Sequence, residues 1–302
     1  MLITNKHTVT KTLQFALWFC VFAVSQHIVC AQASNEADAL AAIKLATNPT
    51  TKLSAAEDFV ARFPHSNARL EIAELIAAEI SRVRNGSVAL ALLERARAVL
   101  TTDQEWEILK PVALGAYASG NRPDEAFALA SELLAKNPND LWVLMRMTQL
   151  GTDEARKRNR KYAETALQYG LKAIALTEKE NAQQAELGQL YQQTAILYVA
   201  AGNMQEAKSQ LMKAATLAPH DPANYALLGR VINADYVLKP SKDVAVLDTI
   251  IEAYARAVGL ARGRTEYQLL MQQVLPDLTT YYKQRHGSMK GLQQLINKFS
   301  RR

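Results

Sequence analysis

Beyond residue 30 the sequence contains no cysteine; the chain has two, Cys20 and Cys30, and both fall in its opening segment. The body that follows therefore has no disulfide, no thiol nucleophile and no thiolate metal site, and a core of this size holds together by burial alone. Histidine is scarce as well. Of five, His7 and His27 belong to the opening segment. His65, His220 and His286 lie far apart, each in an expected turn, with no second histidine or carboxylate at the spacing that builds a metal site on one helix face. Gly-rich phosphate loops, nucleophile elbows and HExxH motifs are missing. Acid pairs such as Glu71 with Glu74 and Asp124 with Glu125 suit the first turn of a helix, where they favour the helix dipole. The expectation is a protein that is not an enzyme and needs no metal or cofactor. Tryptophan is limited to three residues. Trp106 and Trp142, the two in the body, read as packing at helix starts and not as walls of an aromatic ligand pocket.

Charge is nearly balanced. The full chain carries +6, and removal of Lys6 and Lys11 with the opening segment leaves 33 Lys and Arg against 29 Asp and Glu, or +4. That is ordinary solubility charge, with no nucleic-acid footprint. The one basic run, Arg156-Lys157-Arg158-Asn159-Arg160-Lys161, cannot form one helix face, because consecutive residues wrap around the axis. No aromatic interrupts it for base stacking before Tyr162. It reads as a solvated loop.

The opening segment has a basic start (Lys6, His7, Lys11) with no acidic residue, then an apolar run from Leu13 to Val24 broken only by Gln14. Ser25-Gln26-His27 ends the run before Ile28-Val29-Cys30-Ala31-Gln32-Ala33. A basic start, a short apolar middle and a small-residue exit form a secretory signal peptide, expected over 1–31 with cleavage after Ala31 or Ala33. The run is shorter than the roughly 20 apolar residues of a spanning helix. Val29 stands where a lipoprotein signal has a small residue before its cysteine. The expected location is the periplasm or cell envelope, with membrane contact only if the leader is retained.

Strand signals are also missing: no stretch sustains the period-two alternation of β-branched residues. What is present is helical. Ala, Leu, Gln, Glu, Lys and Arg dominate, and apolar positions recur at helical spacing, as in Leu70, Ala73, Ile76, Ala77 and Ile80. Short breaks carry cap chemistry: Asn48-Pro49, Asn85-Gly86, Gly120-Asn121, Asn137-Pro138-Asn139-Asp140, Gly202-Asn203 and Pro219-His220-Asp221-Pro222. About a dozen antiparallel helices are expected. The pattern then repeats. Tyr117, Glu125, Ala126, Pro138 and Asp140 return with unchanged spacing as Tyr198, Glu206, Ala207, Pro219 and Asp221. Repetition of helical units is the mark of a solenoid, in which each unit buries its apolar face only against its neighbours.

One unit runs Tyr191-x₂-Thr194-Ala195-x₂-Tyr198, Gly202-Asn203, Ala207-x₃-Leu211, Ala214 and Pro219. Tyr225-x₂-Leu228-Gly229 opens the next unit, with Tyr225 one period of about 34 residues beyond Tyr191. These units resemble the tetratricopeptide repeat, a helix–turn–helix of that length with the pattern W-x₂-L-G-x₂-Y…A-x₃-F…P. The resemblance extends loosely from Ala37 to Arg262 and implies an all-α fold, a right-handed α-solenoid of antiparallel helix pairs over 36–262. Residues 263–302 depart from the motif and are expected to cap the open end of the core. Two surpluses interrupt the period, at 151–161 and at 236–243, and are expected as insertions.

The resemblance implies a scaffold that binds a protein or peptide partner in the groove lined by the first helix of each pair. The corresponding residues are Gln192, Ile196, Val199, Arg230 and Asn233. Only Arg230 and Asn233 suit carboxylate capture, and they fall in one repeat, so no carboxylate clamp is inferred. An apolar surface with amide hydrogen bonds is expected instead. The alternatives are a membrane-anchored envelope-assembly component and a helical-repeat protein that binds a solute or glycan. N-terminal sequencing of the protein from an envelope fraction is expected to read from Gln32 or Ser34. An intact Met1 would assign the leader to an anchor.

Overall fold

The computed structural model describes residues 35–179, 184–238 and 243–300. The leader expected over 1–31 lies outside them, as do 239–242 of the second surplus. The described residues form fourteen α-helices and one 3₁₀ turn, with no strand among them. After α1 (35–45) come α2 (Pro49–Arg62), α3 (Arg69–Arg82), α4 (Gly86–Val99), α5 (Asp103–Ser119), α6 (Pro123–Lys136), α7 (Leu141–Arg156) and α8 (Ala163–Lys179). There follow α9 (Gln184–Ala200), α10 (Met204–Leu217), α11 (Pro222–Leu238), α12 (Val244–Ala261), the 3₁₀ turn Thr265–Tyr267, α13 (Gln268–His286) and α14 (Leu292–Phe299). The all-α architecture expected from the sequence is the fold observed among the described residues. The chain divides into two compact units after Leu129, within α6.

Several helix starts are written in the turns. Asn48, Asn85 and Asp140 each accept a hydrogen bond from the backbone N–H three residues on, at 2.9, 3.1 and 3.1 Å, which satisfies one of the donors a helix start leaves open. Thr102 and Glu105 form a reciprocal capping box at α5. At Gly120-Asn121 it is Asn121 that takes the left-handed conformation, with φ 61°, while at Gly202-Asn203 the glycine does so, with φ 86°.

In the first unit α5 packs against α3 and α4, and α2 against α3 and α4. Leu53, Phe59, Ile72, Ile76, Leu93, Leu109 and Leu114 are wholly buried in its core. A charged contact crosses this core. Glu105 is 0% exposed and receives Arg69 in two parallel bonds, Nε to Oε1 at 2.6 Å and Nη2 to Oε2 at 3.0 Å. Arg69 also reaches the carbonyls of Pro64 and Val99. Burial alone would push the Glu105 carboxyl up, but the bonds from Arg69 and Thr102 outweigh it and hold it below its ordinary value.

In the second unit the helices pair in sequence: α7 with α8, α9 with α10, α11 with α12. Small residues set their spacing. Ala195 and Ala207, both wholly buried, let α9 and α10 approach, with Leu211 and half-buried Tyr198 around them. A Cβ on Gly170 of α8 would lie 2.6 Å from the Thr194 methyl and 2.9 Å from that of Thr148. Those buried threonines return their hydroxyls to the carbonyls of Leu190 and Leu144, so neither leaves an open polar group. The last pair and the tail share one core, in which Tyr225, Ile250, Tyr254, Val258, Leu278 and Ile296 bring α11 to α14 together.

Both surpluses are partly absorbed by longer helices. Gly151, Thr152 and Glu154 are buried in the last turns of α7, and Tyr236 is buried in α11. The loop of the first surplus therefore begins only after Arg156. His286 ends α13, its ring in tilted contact with Tyr282 with centroids 4.4 Å apart, and does not sit in a free turn. Trp142, expected to pack, is 50% exposed.

Two glycines with opposite surroundings test this packing. A Cβ on Gly229 would meet the fully buried Tyr254 ring at 2.5 Å, whereas one on Gly115 of α5 meets nothing within 4 Å. Gly229→Ala is expected to destabilise by about 1–3 kcal/mol through overpacking, and Gly115→Ala to stabilise by about 0.5–1 kcal/mol, both read by urea unfolding. Glu105→Gln leaves Arg69 buried without its counter-charge, at a cost of about 3–5 kcal/mol. Because the folded carboxyl titrates below its ordinary 4.5, its contribution is complete above that pH and fades as pH falls below it. Wild type is therefore expected to lose Tm on acidification more steeply than Glu105→Gln.

Candidate functional site

Along α9 the side chains at 189, 192, 196 and 199 recur at helical spacing and stay partly or fully open to solvent. Gln192 Nε2 donates to Asn224 Oδ1 at 2.9 Å, tying α9 to α11, while Asn224 in turn donates to the carbonyls of Ala214 and Ala218. On the other side of α9, Gln193 donates to Gln149 Oε1 of α7, and Gln149 donates to Asp153. Amide contacts thus join α7 to α9 and α9 to α11. Gln192 was legible from its position on the face. Gln149, Gln193 and Asn224 were not, since nothing local marks a glutamine that will meet a partner 44 residues away.

The five expected face residues fall into two groups. Ile196 and Val199 are half-buried and line an open cleft of about 480 Å³ with Ala155, Ala200, Arg158 and Arg160. Arg230 and Asn233 instead turn toward their own repeat and the tail. The Arg230 guanidinium donates to Gln273 Oε1 of α13 at 2.8 Å. The Asn233 amide neighbours the Tyr254 hydroxyl, and Asn233 Oδ1 and Tyr254 Oη are both shielded from solvent without reaching hydrogen-bond geometry to any described atom. Gln192 stands between the groups, half-buried and already bonded.

The basic run lies beside this cleft. Arg156 ends α7 and pairs with Asp153 at 3.2 Å. Glu154, nearly buried, accepts from Lys157 Nζ at 2.8 Å and from Asn159 Nδ2 at 2.8 Å. The Lys157 bond first, then that of Asn159, holds the Glu154 carboxyl below its ordinary value, so it stays charged at neutral pH. Arg158 sits between them with φ 67°, a left-handed conformation that an arginine seldom adopts. A second cleft of about 400 Å³ continues from the first and shares Arg160 and Ala200 with it.

Titration near neutrality is not a property of these helices' buried phenols. Burial, with a hydrogen bond to Glu178, pushes the Tyr191 hydroxyl up to about 12, and burial pushes Tyr254 up as well. Among the described residues no group of three or more His, Cys, Asp or Glu side chains is arranged to hold a metal ion. None of the described helices is long and apolar enough to cross a membrane.

No protein-family model matches the chain, and no curated protein matches it either. Solved structures similar to it include a thermophilic TPR protein of Thermus thermophilus, at 18% identity over 68% of this chain and 99% of that one, with a TM-score of 0.43. Another is pilF of Pseudomonas aeruginosa, at 13% identity over 77% and 98%, with a TM-score of 0.41. A third is a tetratricopeptide repeat protein of Parabacteroides merdae, at 14% over 75% and 92%, with a TM-score of 0.35. In the chain itself, Ala195, Ala207, Leu211 and Ala214 are buried where the repeat pattern requires small or apolar residues, and Tyr225 and Gly229 open the following pair. The fold of these helix pairs is that of tetratricopeptide-like repeats.

Proposed function

We propose that this chain is an exported, non-enzymatic scaffold that binds a protein or peptide partner along the face formed by α7, α9 and α11, in the periplasm or cell envelope. The observation that carries the reading is the open cleft over Ile196 and Val199, apolar groups left half-exposed on a helix whose other faces are packed. An apolar strip beside donors and acceptors that are already oriented suits an extended segment or a short helix, which would desolvate the strip and exchange water-facing polar groups for its own. The rigid scaffold contributes preorganisation: the amide contacts on both sides of α9 fix the face before a partner arrives. Gln192, Ile196 and Val199 are the contacts this reading places first. Arg230, bonded to α13, and Asn233, beside Tyr254 of α12, would form its edge.

Photo-crosslinking tests this. A benzoylphenylalanine at Val199 is expected to give a discrete adduct in envelope extract, and one at Met212, exposed on α10, to give none. An Ile196→Glu change in the Val199 probe is expected to remove the adduct while the circular dichroism stays helical. Adducts from Met212 alone would place the partner elsewhere.

A further inference from the structure

The cleft over α9 combines two features that the sequence presents separately, an apolar floor and a basic loop. Five cations lie in the run from Arg156 to Lys161, and the chain itself engages three of them. Arg156 pairs with Asp153, Lys157 with Glu154, and Lys161 lies over the Tyr162 ring at 5.2 Å. The remaining two, Arg158 and Arg160, make no ion pair among the described residues, and they are the two that line the cleft with Ile196 and Val199. The turn that sets them there is held from beneath, since buried Glu154 binds both neighbours of Arg158. Among the described residues lining this cleft and its continuation, Glu164 is the sole carboxylate.

We infer that this cleft selects a partner segment in which carboxylate side chains flank an aliphatic residue, the aliphatic group resting on Ile196 and Val199 and the carboxylates meeting Arg158 and Arg160. The inference rests on the reading of this face as a protein-binding surface and adds the chemistry of its partner. Guanidinium groups hold carboxylates in a forked geometry that an ammonium cannot reproduce. A pair of unanswered cations at the rim raises the association rate of an acidic segment and disfavours a basic one. A nucleic-acid strand is the poorer match, because the cleft floor holding both arginines is aliphatic and offers no ring on which a base could stack.

The test is a selection of random dodecapeptides, displayed with blocked C-termini, on the full chain, followed by fluorescence anisotropy of the enriched sequences. Enriched peptides are expected to carry Asp or Glu on either side of Leu, Ile or Val. Against these, Arg158→Glu/Arg160→Glu is expected to bind at least tenfold more weakly, and Arg158→Lys/Arg160→Lys to fall between the two. Enriched peptides without an acidic excess, or equal binding by the double reversal, would overturn the inference while leaving the binding face in place. So would an oligo-dT probe that binds more tightly than any peptide and is released by the double reversal. Failure to enrich any peptide on a folded wild-type chain would overturn the reading of the face itself, and this inference with it.

Discussion

How closely two helices can approach is the constraint on which this molecule depends. A hairpin of two short helices has no interior of its own and buries its apolar stripe only against the hairpins before and after it. The side chain at each crossing therefore decides whether the next unit can dock. Gly170 beneath two threonine methyls, Gly229 beneath the Tyr254 ring, and the Ala195–Ala207 contact are such crossings. Each lets a large neighbour, or a second backbone, occupy space that an ordinary side chain would fill. In the second unit's helix pairs the buried polar groups are mostly threonines bonded to their own helix, with Glu154 a buried carboxylate at the end of α7. In the first unit, by contrast, an arginine and a glutamate meet under cover and must satisfy each other.

Local chemistry was legible in the sequence wherever it acts over three or four residues. Asn48, Asn85, Asp140 and Gly202 marked helix ends because caps and left-handed turns are decided by the immediate chain. The repeat positions were legible too, since Tyr191, Ala195, Ala207 and Leu211 fall where the repeat pattern sets them. What escaped was long-range. Arg69 and Glu105 are 36 residues apart, and no local pattern links them. The surpluses were placed as insertions because the count of residues exceeded the period. A count cannot say whether extra residues extend a helix or form a loop, and here α7 and α11 absorbed part of them.

The candidate face shows the same division. Ile196 and Val199 could be placed on it by the resemblance to the repeat together with helical spacing, which fixes which way a side chain leaves the helix. Arg230 could be placed likewise, yet its engagement with Gln273 depends on a helix 43 residues downstream that follows no repeat pattern. The basic run was read as solvated, and its cations are exposed. Its position beside α9 became visible only once the turn around Glu154 and the end of α7 were fixed in space. Sequence spacing gave direction for each residue and could not give company.

The bond between Arg230 and Gln273 bears on how a bound segment would be measured. A strip that ran on past α11 would let a ligand slide from one repeat to the next, with several alignments of similar energy. Here Arg230, which follows the strip on α11, turns away from it and donates to Gln273 of the tail helix. On the proposed reading, a segment lying along α9 toward α11 would meet a cation already tied to the tail. Its alignment would then be counted from that end, as a rod is measured against a shoulder, and length would join sequence as something the proposed face could discriminate.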